Sequence, residues 1–418
     1  MNALPVEVTE SLMAQHPEMV IGVKTRYMLF NVNPITGKET QLTGWSENTL
    51  LTTGRNSLAL QANWVNAIHL GTDATDPNAG QTGLIGFVAA TTLLSTAYPT
   101  TSGAAAVPPY YGWKRIRFRF TPGQAVGNLN EVGLGWTTTP GDIAFRALLV
   151  DINGIQTTVV PFIDEYVDVV AEIRYYPPLD DVTGTVDFDG ITYNYIIRAA
   201  EVTSGTHWGS NIGVAIGHHD LFTSYWQAYD GDLGTIAQAP SGVAYAADGT
   251  NAYDLAYSNN SYERQMAQIG GPAAWNALGG KKLRSFRFVT KAGAFQVQFD
   301  SQSVPGFGIP KNDNYNIKFS FVISWAEAGP IFTGTIPTQN YTDGVPASLD
   351  ISAYFQPNLP EPILYTVLTG TIPAGMSLNS STGLLDGTPN TVSSGSLEIQ
   401  CENDVGASTT NVFAWAVV

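Results

Sequence analysis

KRIRFRF, residues 114–120, alternates without a break. Successive side chains of an extended chain point to opposite faces, so Ile116, Phe118 and Phe120 share one side and Arg115, Arg117 and Arg119 the other. The same pattern returns from Tyr166 to Tyr175, where Val167, Val169, Ala171, Ile173 and Tyr175 oppose Asp168, Glu172 and Arg174. It returns again in YNIKFSFVISW (315–325), with Tyr315, Ile317, Phe319, Phe321, Ile323 and Trp325 on one face. One apolar face and one polar face is the signature of half-buried antiparallel strands. Helical periodicity is scarce. One short helix is expected, from Gly54 to Trp64, with Thr53 as its cap.

Composition agrees with sheet. Charged residues are 13% of the 418, about half the usual share, while hydrophobic residues make up 44%. Gly, Thr, Ser, Asn and Pro fill the gap, the mixture of strands joined by tight turns. At 418 residues two or three domains are expected. The formal charge of −16 lacks the basic footprint of a nucleic-acid binder and disfavours anionic membranes. Cys401 is the one cysteine, which excludes an intrachain disulfide, and it is expected to be a small core residue. The opening MNALPVEVTE has neither the basic nor the apolar region of a signal peptide, and no apolar run reaches the ~18 residues of a membrane span.

Every Lys and Arg lies between Lys24 and Lys318. From Gly329 onward there is none, yet seven acids are present: Asp343, Asp350, Glu361, Asp386, Glu398, Glu402 and Asp404. The AEAGP before this break reads as a hinge. The expected organisation is an N-terminal arm (1–20), a β-sandwich docking region (21–200), a second β-sandwich part (201–328) with a long loop at 222–262, and a C-terminal domain (329–418). KRIRFRFTPGQA (114–125) and KKLRSFRFVTKAGA (281–294) share basic residues and Phe-Arg-Phe, which a duplication or coincidence among strands would equally produce.

The C-terminal segment resembles the immunoglobulin-like domains related to dystroglycan-type cadherin-like domains, found in microbial surface and phage proteins. The resemblance is carried by QNYTDGVPASLDISAYF (339–355), by Ile372-Pro373-Ala374-Gly375-Met376, by Ser381-Thr382-Gly383, by Asp386-Gly387-Thr388-Pro389 and by the closing ENDVGASTTNVFAWAVV. Gly375, Gly383 and Gly387 punctuate turns where positive φ is needed. Tyr365, Val367, Leu378, Leu384, Leu397 and Ile399 suit a sandwich interior. The region before it is similar to β-rich virion proteins of tailed bacteriophages, on NTLLTTGRNSLA (48–59), HLGTDATDP (69–77), FTPGQAVGNLNEVGLGW (120–136) and FRALLVDINGIQTTV (145–159). That resemblance implies a structural role, with release in a virion made in the host cytoplasm.

Catalytic groups that converge are few. His218-His219-Asp220 is a cluster among the five histidines, but neighbours on a strand diverge, so local hydrogen bonding is its expected role. Asp164-Glu165, Asp180-Asp181 and Asp187/Asp189 are acid pairs that a glycosidase would require in space, which spacing alone does not give. Asp230-Gly231-Asp232 lacks the distal Glu of a calcium loop. No catalytic residue, metal or cofactor is therefore expected. Arg115, Arg117 and Arg119 are candidates for docking to an acidic neighbour; the alternative is pairing with Asp168 and Glu172 on an adjacent strand. Tyr225, Trp226, Tyr229, Tyr245, Tyr253, Tyr257 and Tyr262 are candidates for recognition, against the alternative of aromatics folded onto the sandwich.

The fold expected is all-β: an antiparallel β-sandwich, jelly-roll-like and built as one unit or two, followed by an immunoglobulin-like β-sandwich. The function expected is a non-enzymatic structural component of a tailed phage particle (tail fibre, collar or decoration). Its partners would be other virion proteins, further copies of itself, and a host surface glycan or protein, with no nucleic acid and no membrane insertion. Alternatives are a carbohydrate-binding adhesin and a tail-associated glycan hydrolase.

Overall fold

The computed structural model describes residues 17–108, 110–188, 190–216, 227–246, 250–254, 257–270, 282–310, 317–327, 330, 332, 335–355, 363–403 and 406–418. At 246, 250–254, 266–270, 282, 310, 317–320, 327, 403 and 406–408 only the backbone is described. The chain forms two compact units, Met1–Ala326 and Glu327–Val418.

The first unit opens with β1 (Glu18–Val32), β2 (Glu39–Gln41), β3 (Ser46–Glu47), β4 (Thr49–Leu50) and α1 (Thr52–Leu60). Then come β5 (Ala67–Gly71), β6 (Phe87–Thr91), β7 (Thr101–Ala104), β8 (Gly112–Phe120), β9 (Glu131–Gly135), β10 (Ile143–Leu148) and β11 (Tyr166–Tyr176). The second half brings β12 (Val182–Phe188), β13 (Ile191–Ala200), α2 (Gly205–Trp208), β14 (Gln227–Tyr229), β15 (Ala244–Ala246), β16 (Thr250–Asp254) and β17 (Glu263–Gly270). It closes with β18 (Lys282–Leu283), β19 (Ser285–Thr290), β20 (Gly293–Ser301), β21 (Ile309–Pro310) and β22 (Ile317–Glu327).

These strands build a nine-stranded sheet with the path β16-β17-β22-β1-β11-β8-β7, a five-stranded sheet β4-β10-β9-β5-β6 and a six-stranded sheet β12-β13-β20-β19-β14-β15. One apolar core draws on all three, with Leu29, Phe118, Val169, Phe145, Leu134, Tyr193 and Phe295 fully buried. Strands from both sides of residue 200 share sheets: β13 pairs β20 over eight residues, and β22 lies beside β1. The expected division at 200 therefore runs through two continuous sheets.

Three local expectations are corrected. The helix spans Thr52–Leu60, with Leu51 at its N-cap and no side-chain cap; the Thr53 hydroxyl instead donates to the Ile143 carbonyl at 3.3 Å. Gln61 is already extended, so Trp64 lies beyond the helix, buried in the core. Gly54 lets this helix sit on β10, since a Cβ there would stand 2.1 Å from the Ala144 carbonyl oxygen. The 222–262 stretch is not one loop: β14, β15 and β16 lie within it, each too short for alternation to show. The two Phe-Arg-Phe strands also differ in surroundings. β8 pairs with β11 and β7, whereas β19 pairs with β20 and β14.

The second unit pairs a sheet β23 (Gln339–Tyr341), β30 (Phe413–Val417), β28 (Ser393–Asn403), β25 (Leu364–Gly370), with β29 (Gly406–Thr409) beside β28, and a sheet β24 (Ala347–Asp350), β27 (Leu384–Gly387), β26 (Met376–Leu378). Tyr365, Leu397, Ile399 and Cys401 are buried in its core, together with Leu385, Phe413 and Trp415. Gly375, Gly383 and Gly387 have φ of +88°, +73° and +141°. Val367 is exposed instead of interior, although it pairs with the buried Ile399; the register shift of β25 comes only after it, before Thr369. Leu378 and Leu384 are half-buried, and Leu385 takes the core position.

Candidate functional site

The outer face of the nine-stranded sheet carries the densest chemistry among the described residues. In β1 and β11 the odd-numbered residues bury and the even-numbered ones face out; in β8 Ile116, Phe118 and Phe120 bury and the arginines face out. Pairing then fixes cross-strand rows. Glu47, Arg26, Glu172, Arg115 and Thr101 stand side by side across five strands. Phe30, Asp168 and Arg119 form a second row, and Met28, Val170 and Arg117 lie between them. Opposite charges directly across a ladder attract, so the register itself makes an ion lattice.

Asp168 is fully buried and receives the Arg117 Nε at 2.8 Å and the Arg119 Nε at 2.7 Å. Arg117 also reaches Glu39 at 2.8 Å. Glu172, equally buried, meets Arg26 at 2.8 Å, Arg174 at 2.7 Å and the Nε of Arg115. Burial alone would raise the Glu172 carboxyl; the charges of Arg174, Arg26 and Arg115 outweigh it and hold the group below the usual carboxylate range. The hydrogen bond to Asp168 raises Arg119. Aromatic rings cap the guanidiniums: Trp45 lies 4.1 Å from Arg26, Tyr98 3.8 Å from Arg117, Tyr166 4.4 Å from Arg119 and Tyr111 4.3 Å from Arg174. Such stacking strengthens as water is excluded. Lys24, Arg26, Arg115, Arg117, Arg119 and Arg174 pair with Glu39, Glu47, Asp168 and Glu172 in this lattice, six cations to four acids in a chain of charge −16.

Of the three arginines expected to dock outward, Arg117 and Arg119 are turned to partners within the sheet. Arg117 is 8% exposed; Arg115 is 47% exposed, and its contacts with described residues are the Glu172 carboxylate, through Nε, and the Trp113 ring.

Two further nodes were not legible from pattern. Arg146 and Glu131 are both wholly buried, on the paired strands β10 and β9, and bond at 2.7 Å. Glu131 also receives the Gly86 backbone N–H at 2.7 Å, tying down the 72–86 loop. The available signal was a charge in each of two otherwise apolar runs, EVGLG and IAFRAL. Arg287 on β19 meets Glu201, and its Nη2 contacts the His207 ring at 2.7 Å. Burial lowers His207, as it lowers His69, whose Nε2 bonds the Thr137 carbonyl at 2.8 Å.

The aromatic candidates fall in separate places. Tyr229 is buried on β14 and donates to Gln227 at 2.9 Å; Tyr245 on β15 reaches Asp230 at 3.4 Å. Tyr257 donates to Asn56 at 2.6 Å and stacks on Trp325 at 5.9 Å, while Tyr262 lies under Arg55. Tyr245, Tyr257 and Tyr262 pack against the core. Tyr253 lies on β16 with only its backbone described. Tyr225 and Trp226 lie outside the described residues, as do His218, His219, Asp220 and Asp189.

The acid pairs are engaged locally: Glu165 with Asn33, Asp181 with Arg198, and Asp187 with Thr192. Asp230 accepts the Val243 N–H, and Asp232 pairs with Arg284 at 2.6 Å. No group of three or more His, Cys, Asp or Glu that could hold a metal occurs among the described residues. Among them, no helix is long and apolar enough to cross a membrane.

The family described as "Putative Ig domain" matches residues 329–418, and with the two facing sheets this makes the second unit an immunoglobulin-like domain. Among solved structures, the N-terminal Ig1-2 module of the Drosophila receptor protein tyrosine phosphatase DLAR is similar at 11% identity, covering 54% of this chain and 89% of that one, with a TM-score of 0.18. Murine CEACAM1b is similar at 11% identity over 47% and 87%, TM-score 0.15. A structure described as a "putative alpha-galactosidase" from Bacteroides fragilis is similar at 16% identity, TM-score 0.18; 22% of this chain is covered, and it spans 18% of that protein's length. No curated protein sequence matches the chain.

Proposed function

We propose that the chain is a non-enzymatic structural component of a tailed phage particle, present in several copies, with the first unit docking and the immunoglobulin-like unit displayed. One observation carries this reading. The turn of the β1–β2 hairpin exposes Ile35 (92%), and the segment between β10 and β11 exposes Ile152, Ile155, Val160, Phe162 and Ile163 (69%). The Asn33 side chain ties the hairpin turn to Glu165 at 3.2 Å, and the Gly44 N–H ties the chain after β2 to the Val150 carbonyl at 2.9 Å. Exposed apolar side chains of this kind are what a protein interface buries. A second copy of this chain is the occupant that a symmetric particle supplies.

Light scattering of the purified chain should report an oligomer, and Phe162→Asp with Ile163→Asp should give a monomer with unchanged melting. Antibody labelling should find the chain at repeated positions on phage particles. A wild-type monomer that is also absent from particles would overturn the reading.

A further inference from the structure

We propose that the outer face of the nine-stranded sheet holds a binding pocket for one carboxylate-bearing sugar ring, a hexuronate-type residue of an acidic glycan. A half-open pocket of about 230 Å³ lies between the segment before β7 and strands β8 and β11, lined by Tyr98, Pro99, Thr101, Arg115, Arg117 and Val170. It is smaller than the ~300–1,000 Å³ of drug-sized sites, which suits a single ring.

Its walls divide the work. Tyr98 is 42% exposed, and its ring is held by Arg117 stacking at 3.8 Å. Glu39 and Asp168 hold that guanidinium in place, so the ring rests on a fixed support. A rigid aromatic face beside Pro99 and Val170 offers an apolar wall to the C–H face of a sugar. Arg115 supplies the charge. Its Nε goes to Glu172, which is already met by Arg26 and Arg174, so one carboxylate is shared by three guanidiniums. Its half-exposed fork remains to bind a second carboxylate, the geometry guanidinium prefers. Thr101, directly across the ladder, adds a hydroxyl.

An acidic peptide fits less well. Peptides that bind sheets add a strand to a free edge. Here β8 is paired on both sides, with β11 and β7, so its backbone groups are spent.

The test titrates the full-length chain, by calorimetry, with oligogalacturonate, its methyl-esterified form and poly-glutamate. Binding of oligogalacturonate alone is expected, weakened at least tenfold by Arg115→Gln, partly restored by Arg115→Lys and abolished by Val170→Phe, which fills the pocket without changing charge. Melting of each variant is measured alongside, and Val170→Phe stands in if Arg115→Gln does not fold. No binding, binding untouched by these variants, or equal binding of poly-glutamate would overturn the proposal. Because binding is read on the isolated chain, its failure would leave the particle role untouched, and absence from particles would leave the pocket untouched.

Discussion

The two units solve the same problem, closing a β-sandwich, with different materials. The first threads charge through its sheets: Arg146–Glu131 wholly buried, Asp168 between Arg117 and Arg119, and Glu172 among three guanidiniums. The second has no Lys, Arg or His at all from residue 329. Its described acids are exposed or half-exposed, and Tyr365, Leu385, Ile399 and Trp415 close it by packing. A buried ion pair is a poor source of net stability but is costly to break on one side. The first unit is thus specified by partners that must all be present, and the second by volume alone.

The largest expected effect breaks the first scheme at its most buried node. Arg146→Leu leaves Glu131 charged and without its cation at zero exposure, which should cost ~3–5 kcal/mol. In urea the transition of the first unit should move to markedly lower denaturant while that of the second stays put. Equal movement of both transitions, or none, would erase the contrast.

Next comes the packing scheme. Ile399 is fully buried on β28, so Ile399→Ala should cost ~2–5 kcal/mol through lost burial and the cavity left behind. Measured on a fragment 329–418, the loss should be independent of salt. A strong salt dependence would mean that charge matters there after all.

Legibility followed the same contrast. Alternation alone located β8, β11 and β22, and it put Arg115, Arg117 and Arg119 on the face where Asp168 and Glu172 were candidates to meet them. It did not give the order of strands, so Arg26 and Glu39 as third partners were invisible. Glu131 and Arg146 were missed because strands buried on both faces show no period. Val367 was misplaced because alternation gives the face of a residue but not whether anything covers it: Val367 pairs with the buried Ile399 and is itself exposed. The scattered fate of Tyr229 and Tyr245 was unreadable because three-residue strands leave no pattern, and Tyr257 and Tyr262 lie between strands β16 and β17.

Acid should separate the units more gently. His69 and His207 have pKa values lowered by burial, so the folded state resists protonating them. Their contribution is complete above the ordinary histidine value and is lost as pH falls below it, by at most about 1.4 kcal/mol per pH unit for each. Glu172, also lowered, adds a second loss once pH drops below the usual carboxylate value. Scanning calorimetry at pH 7.5 and 5.5 should show the first unit's transition falling while the second, with no histidine, holds. A larger fall in the second unit would contradict the assignment.

The smallest effect lies inside the arginine lattice and tests whether charge there is structural throughout. Arg117 is 8% exposed and bonds to both Asp168 and Glu39; Arg115 is 47% exposed and gives only its Nε to a carboxylate that two other arginines already neutralise. Removing Arg117 strips one of two cations from a buried acid, whereas removing Arg115 leaves Glu172 with two. Exposed ion pairs contribute ~0–1 kcal/mol, and screening by salt lowers even that. Arg115→Gln should therefore shift the urea midpoint barely at all, and Arg117→Gln by several times more. If Arg115→Gln proved as damaging as Arg117→Gln, its guanidinium would be a structural member of the lattice with nothing left over for a ligand. If it proves silent, the most exposed cation on this face is present for a reason other than holding the sheet together.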